Sequence, residues 1–172
     1  METRKAFVVR RAGPEDAAQA CKVLRRSIIE CCTADHRGDT AVLSSWLANK
    51  TPENLRSWFS STGHAVVAEQ EGAIVGVAML SGSGGIILNY LLPEMRHKGM
   101  GRKMLGALED EAARRGVRVV ELSSTATAHE FYLRNGYVDT GKKSVMFGLT
   151  SPIMTKALAA GLMAEPAALP AP

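Results

Sequence analysis

The sequence predicts a mixed α/β (α+β) domain in which helices flank a central sheet of six to seven strands. Apolar residues recur at helical spacing from Ala17 to Phe59, and from His64 the period becomes that of extended chain. Between Ile86 and Leu122 a strand, a basic turn with two glycines, a helix and a second strand follow in order. That succession is a βαβ unit, whose two strands lie parallel.

In chain order, Phe7–Arg10 is a short strand. Gly13-Pro14-Glu15-Asp16 opens a helix, with Pro in its first turn and acids at the positive end of its dipole. Ala17, Cys21, Leu24 and Ile28 form its buried face, and it ends near Cys32. Thr33 to Asp39 is polar and irregular. Val42, Leu43, Trp46 and Leu47 mark a second helix, and Thr51 caps a third that carries Leu55, Trp58 and Phe59. His64–Gln70 and Ala73–Leu80 flank Glu71-Gly72 as a hairpin. After Ser81–Gly85, the strand Ile86–Leu92 places Asn89 and Leu91 on one face, Tyr90 and Leu92 on the other.

The next helix runs to Arg115, with Met104 or Leu105, Leu108 and Ala112 inward and Asp110–Arg114 and Glu111–Arg115 as exposed pairs. Gly116 ends it. The strand Val117–Leu122 and a helix through Ala128–Asn135, closed by Gly136, come next. Strands at Tyr137–Thr140 and Ser144–Leu149, with Pro152–Lys156 as an extension, complete a single domain over residues 1–157. Residues 158–172, rich in Ala and Pro, read as a disordered tail.

A length of 172 residues suits one domain, and shares of 46% hydrophobic and 22% charged residues argue against disorder over most of it. The charged N-terminus lacks the apolar core of a signal peptide, and no stretch approaches the ~20 apolar residues of a membrane span. Cys21, Cys31 and Cys32 are odd in number and lack Cys-x-x-Cys spacing. They suggest neither a disulfide framework nor a metal site, and a reducing cytoplasm is the expected setting. Net charge is +4, from 21 basic and 17 acidic residues, which is too mild to demand nucleic acid when aromatic stacking residues are only 5% of the chain.

The stretch from Leu91 to Met104 organises the rest. Arg96-His97-Lys98-Gly99-Met100-Gly101 leads into Arg102-Lys103, so two glycines sit where the first helical N–H groups lack an intrahelical partner. Helix dipole and basic side chains both favour an anion there, a phosphate or pyrophosphate in particular. The dinucleotide fingerprint is absent because Met104 occupies the place of its third glycine, and no P-loop Gly-Lys-Ser/Thr occurs.

Arg96-x-x-Gly99-x-Gly101 resembles motif A of the GNAT superfamily of N-acetyltransferases. A second stretch, Ala128-His-Glu-Phe131-Tyr132-Leu-Arg-Asn-Gly136-Tyr137, resembles that superfamily's Ala-x-x-Phe/Leu-Tyr-x-x-x-Gly-Phe/Tyr signature. Order and separation agree, and the resemblance covers His64 to Leu149, while the helices from Pro14 to Phe59 match only in kind.

The resemblance implies a sheet splayed between strands four and five, with acetyl-CoA as co-substrate and no metal. The pantetheine arm would hydrogen-bond to the backbone of Leu91 and Leu92, and the pyrophosphate would meet the N–H groups of Lys98, Gly99, Met100, Gly101, Arg102 and Lys103. Arg96 and His97 stand close enough to assist, and Thr127 takes the place where many members carry an Asn that contacts pantetheine. Tyr132 falls in the general-acid position, for direct attack by a primary amine of a small molecule or a protein. Partners are then acetyl-CoA and the amine, with neither nucleic acid nor membrane, and a homodimer is among the expectations.

One departure stands out. Many members carry a carboxylate on the strand that here runs from Gly85 to Pro93, where this chain has none. The base is then a water chain, or Asp35, His36 or Asp39. The same gap keeps open a non-catalytic acyl-CoA-binding regulatory module, and an enzyme moving a longer acyl group is a further rival.

Overall fold

The computed structural model describes residues 6–159. One seven-stranded sheet runs through it, made of β1 (Val8–Arg11), β2 (His64–Gln70), β3 (Ala73–Leu80), β4 (Ile86–Leu91), β5 (Val119–Ser123), β6 (Val138–Met146) and β7 (Leu149–Ala157). Its spatial order is β1-β2-β3-β4-β5-β7-β6, antiparallel throughout except for the β4–β5 pair. The predicted βαβ unit is that parallel pair, joined by α5 (Met100–Arg114).

Two apolar layers bury the sheet. On one face, α1 (Ala17–Cys31), α3 (Thr40–Leu47) and α4 (Pro52–Phe59) pack against alternate residues of β2, β3 and β4. Ala17, Cys21, Leu24 and Ile28 are all buried there, the stripe that the spacing predicts. On the other face, Met100, Met104, Leu105, Leu108 and Ala112 seat α5 against the sheet beside α6 (His129–Arg134). Thr51 caps α4 by accepting from the Asn54 N–H.

Several elements differ from expectation. Thr33 to Asp39 is not wholly irregular, because α2 (Thr33–His36) makes one helical turn before Arg37 reverses to φ +50°. The last strands form one long hairpin, and the expected strand Ser144–Leu149 straddles its turn. Phe147 and Gly148 both hold positive φ there, the geometry of a tight hairpin turn that Asn-Gly usually signals. Glu111 is buried rather than exposed, held by Arg114 and Arg115 and lying 3.9 Å from His64 of β2. No Asp110–Arg114 pair is present among the described residues. The strand expected from Val117 starts at Val119, after Gly116 and Val117 close α5 with N–H bonds to Ala113 and Ala112. Most of the tail expected at residues 158–172 lies outside the described residues.

Candidate active site

The site begins with an extra residue in β4. Leu80 pairs with Ile86 but Met79 pairs with Leu88, so Ile87 is a bulge. Ile86 accordingly packs with the α5 layer, and Leu88, two residues on, with the opposite layer. Beyond the bulge the Leu92 N–H donates to the Val75 carbonyl at 2.9 Å, which makes Val75 and Leu92 a hydrogen-bonded pair. Antiparallel pairs alternate, so Gly76–Leu91 and Ala78–Asn89 are non-bonded pairs, and the N–H and C=O of Leu91 and Asn89 point away from β3. They face β5, which is registered with β4 only at Ile86–Leu122. Leu91 and Asn89 therefore keep backbone groups open to a ligand strand. The amide of Leu92, expected to serve alongside Leu91, is spent on Val75.

The glycine turn follows the 3-10 turn Pro93–Met95. His97 at φ +62° and Gly99 at φ +83° fold the chain back so that α5 starts at Met100, and no side chain caps it. The first intrahelical bond runs from the Lys103 N–H to the Gly99 carbonyl, which leaves the N–H groups of Met100, Gly101 and Arg102 open. A Cβ placed on Gly101 would lie 3.4 Å from Leu91 and 3.5 Å from Phe131, so β4 and α6 both close on the backbone there.

A cavity of about 630 Å³ extends from this turn along β4 to α1 and α6. Of the residues predicted from sequence, it gathers Leu91, Arg96, His97, Gly99, Gly101, Arg102, Thr127 and Tyr132. Four others stand apart. Met100 has its side chain in the core, Lys103 turns to the ring of Phe7 at 5.1 Å, and Lys98 and Leu92 do not line the cavity. A smaller cavity of about 50 Å³ between β4 and β5 shares Asn89, Tyr90, Thr125, Ala128 and Tyr132 with the larger one.

Tyr132 stands on the wall common to both, and the C-terminus of α6 fixes it there. The Tyr137 N–H bonds the Tyr132 carbonyl and the Gly136 N–H bonds that of Leu133, with Gly136 left-handed at φ +89°. This is a Schellman closure, and its usual apolar contact is the edge-on packing of Tyr137 against Tyr132 at 5.5 Å. The spacing Tyr-x-x-x-Gly-Tyr is thus the geometry of one helix end. Burial pushes the Tyr132 hydroxyl up to about 12, and the Asn89 side chain offsets part of the rise. At neutral pH the phenol therefore keeps its proton.

The opposite wall comes from the helical layer. Cys31 and Cys32 line the large cavity, and burial pushes the Cys32 thiol up to about 12. Burial also raises the Tyr90 hydroxyl. Of the three candidate bases, His36 is buried with both ring nitrogens engaged, by the Ile29 carbonyl and the Gly38 N–H, and Asp39 caps α3. Asp35 reaches across to the β5–α6 loop, where it accepts from the Ala126 N–H at 2.6 Å, the Thr127 N–H at 3.3 Å and the Thr127 hydroxyl at 2.7 Å. Asn89 and Tyr90 escaped the sequence reading as site residues, since neither carries the carboxylate sought on that strand. Among the described residues no three His, Cys, Asp or Glu side chains converge as a metal site, and no helix is long and apolar enough to cross a membrane.

A mixed sheet with a bulged fourth strand, an uncapped helix over a glycine turn and a buried phenol beside the parallel pair define an acyltransferase of the GCN5-related fold class. The family model described as an acetyltransferase (GNAT) domain matches residues 32–158, and the chain belongs to that family. A GCN5-related N-acetyltransferase from Rhodopseudomonas palustris is 25% identical, superposing over 92% of this chain and 100% of its own with a TM-score of 0.80. The PaiA N-acetyltransferase of Thermoplasma acidophilum, solved with coenzyme A, is 19% identical over 89% of this chain and 99% of its own, with a TM-score of 0.76. YncA of Salmonella typhimurium, solved with acetyl-CoA, is 22% identical over 95% of this chain and 99% of its own, with a TM-score of 0.65. The last two share the fold.

Proposed function

We propose that this chain moves the acetyl group of acetyl-CoA to a primary amine of a small molecule or a protein by direct attack, with Tyr132 as general acid. The observation that carries the reading is the position of Tyr132, on the wall shared by both cavities, the larger of which Leu91 also lines. The pyrophosphate rests on the open amides of Met100, Gly101 and Arg102, with Arg96, His97 and Arg102 around it. The pantetheine arm lies along β4 against Leu91, in the place that β5 leaves, and the Leu91 N–H polarises the thioester carbonyl.

The amine forms its C–N bond as the C–S bond breaks, and Tyr132 gives its proton to the departing sulfur. A phenol at about 12 is a weak acid for a thiolate in water, where thiols titrate near ~8.5. The same cavity wall, however, holds the Cys32 thiol at about 12, because burial disfavours the anion. A sulfur leaving beside that wall is disfavoured as an anion by the same kind of burial, which narrows the gap between the two groups. His36 and Asp39 are committed to backbone partners and Asp35 to the facing loop, so the proton lost by the amine is assigned to water.

Calorimetric titration with acetyl-CoA, followed by thiol release against a panel of primary amines and with longer acyl-CoA donors, tests the reading. Micromolar binding with amine-dependent thiol release is the expected result. Tight binding with no release from any amine above buffer hydrolysis identifies a regulatory acyl-CoA module instead, the reading that the carboxylate-free β4 favours.

A further inference from the structure

The Asp35 carboxylate bridges two segments 91 and 92 residues apart that form facing walls of the large cavity. Its bonds go to the loop that launches α6, at the one residue there, Thr127, whose side chain both lines the cavity and touches it. The polarity of those contacts is fixed. A carboxylate only accepts, so the Thr127 hydroxyl must spend its single proton on Asp35 and can offer the cavity only lone pairs. From this geometry we infer that Asp35 is a positioning residue for the cofactor. It holds Thr127 as an obligate acceptor for an amide N–H of the pantetheine arm and pins the loop that leads into α6, the helix that carries Tyr132.

The inference rests on the acetyl-CoA reading above and adds to it a reason why Thr serves at this position. Unfixed, a threonine hydroxyl rotates and can present its proton to the arm, where it would oppose an N–H. With Asp35 in place one orientation survives, and the cleft selects a donor on the ligand. The same bonds tie α2 to the β5–α6 loop, so the helical layer of α1 to α4 and the cofactor cleft are held in one arrangement.

The test is a mutant cycle read by calorimetry with acetyl-CoA and by kcat and KM for the best amine. Asp35→Asn and Thr127→Val should each weaken acetyl-CoA about five-fold, and the double variant should be no weaker than Asp35→Asn by more than two-fold, because Asn has one acceptor where Asp35 uses two and Val has no hydroxyl, so both act on one oriented group. Thr127→Ser, which keeps the hydroxyl, should restore affinity to within two-fold of the unmodified protein. Asp35→Asn should also lower kcat about ten-fold, a larger loss than Thr127→Val shows, because it frees the loop before α6 as well as the hydroxyl. Independent losses in the double variant, or an Asp35→Asn protein that melts earlier yet binds and turns over unchanged, overturns the inference while acetyl-CoA binding by the unmodified chain stands. If Asp35→Asn fails to fold, an unchanged affinity in Thr127→Val alone overturns it. Absence of acetyl-CoA binding by the unmodified chain removes the functional reading first and this inference with it.

Discussion

Asn89 of β4 and Tyr132 of α6 line both cavities where the parallel strands part, and the Asn89 side chain offsets part of the rise that burial gives the phenol. The pair joins the bulged strand to the last helix, and on the proposed mechanism it sets the acid beside the cofactor arm.

Tyr132→Phe keeps the ring against Tyr137 and Phe131 and removes only the O–H. Turnover should fall about 10²-fold, the usual worth of a positioned acid, with acetyl-CoA affinity within three-fold of the parent. On the proposed mechanism the active form is the protonated phenol, lost only as pH rises through about 12, so the rate should show no alkaline fall from this group below pH ~11. Stopped-time thiol release from pH 6 to 11 checks both statements.

Gly101→Val adds a branched side chain where a Cβ already stands 3.4 Å from Leu91 and 3.5 Å from Phe131. The branches must enter the anion turn or force β4 and α6 apart, and acetyl-CoA binding should become undetectable by calorimetry. Affinity equal to that of the parent would place the phosphates elsewhere.

Gly136→Ala puts a Cβ on a residue at φ +89°, where the nearest neighbour is the flexible Lys156 side chain at 3.5 Å. Backbone strain alone decides the outcome, at about 1–2 kcal/mol of stability read by denaturant unfolding. Because this residue closes the helix on Tyr132, kcat should fall as well, while the affinity for acetyl-CoA should hold.

Lys50 is buried, and burial lowers its ammonium from an ordinary 10.5 to about 8. Between those two values the unfolded chain holds a proton that the folded one has released, so stability should rise with pH from about 8 to 10.5. Below that window the buried charge is a fixed cost, part of which the Phe147 ring offsets from 4.5 Å. Lys50→Met should therefore be the more stable protein at pH 7, by no more than about 3 kcal/mol, and should lack the alkaline gain. Urea unfolding of both proteins at pH 7 and pH 10 measures the difference.

What could be foreseen from sequence was local. Tyr132, Gly136 and Tyr137 are legible because one helix end requires their spacing, and Gly99 to Arg102 because an uncapped helix start needs only consecutive residues. The buried face of α1 follows from its period. What depends on register stayed hidden. Whether Leu91 or Leu92 offers its amide is set by Val75 on another strand, and Glu111 is buried by His64, which no spacing connects to it. The clasp of Asp35 on Thr127 spans most of the chain, and the hairpin turn at Phe147-Gly148 lacks the residue pair that usually announces it.

The extra residue at Ile87 acts as a phase shifter for everything downstream in its strand. Remove it and each later side chain would swap faces, with Tyr90 sent toward α5 and Leu91 toward α1, while the anion turn would inherit the wrong rotation. Length variation among relatives should thus gather in the Ser81–Gly85 loop and spare the six residues after it.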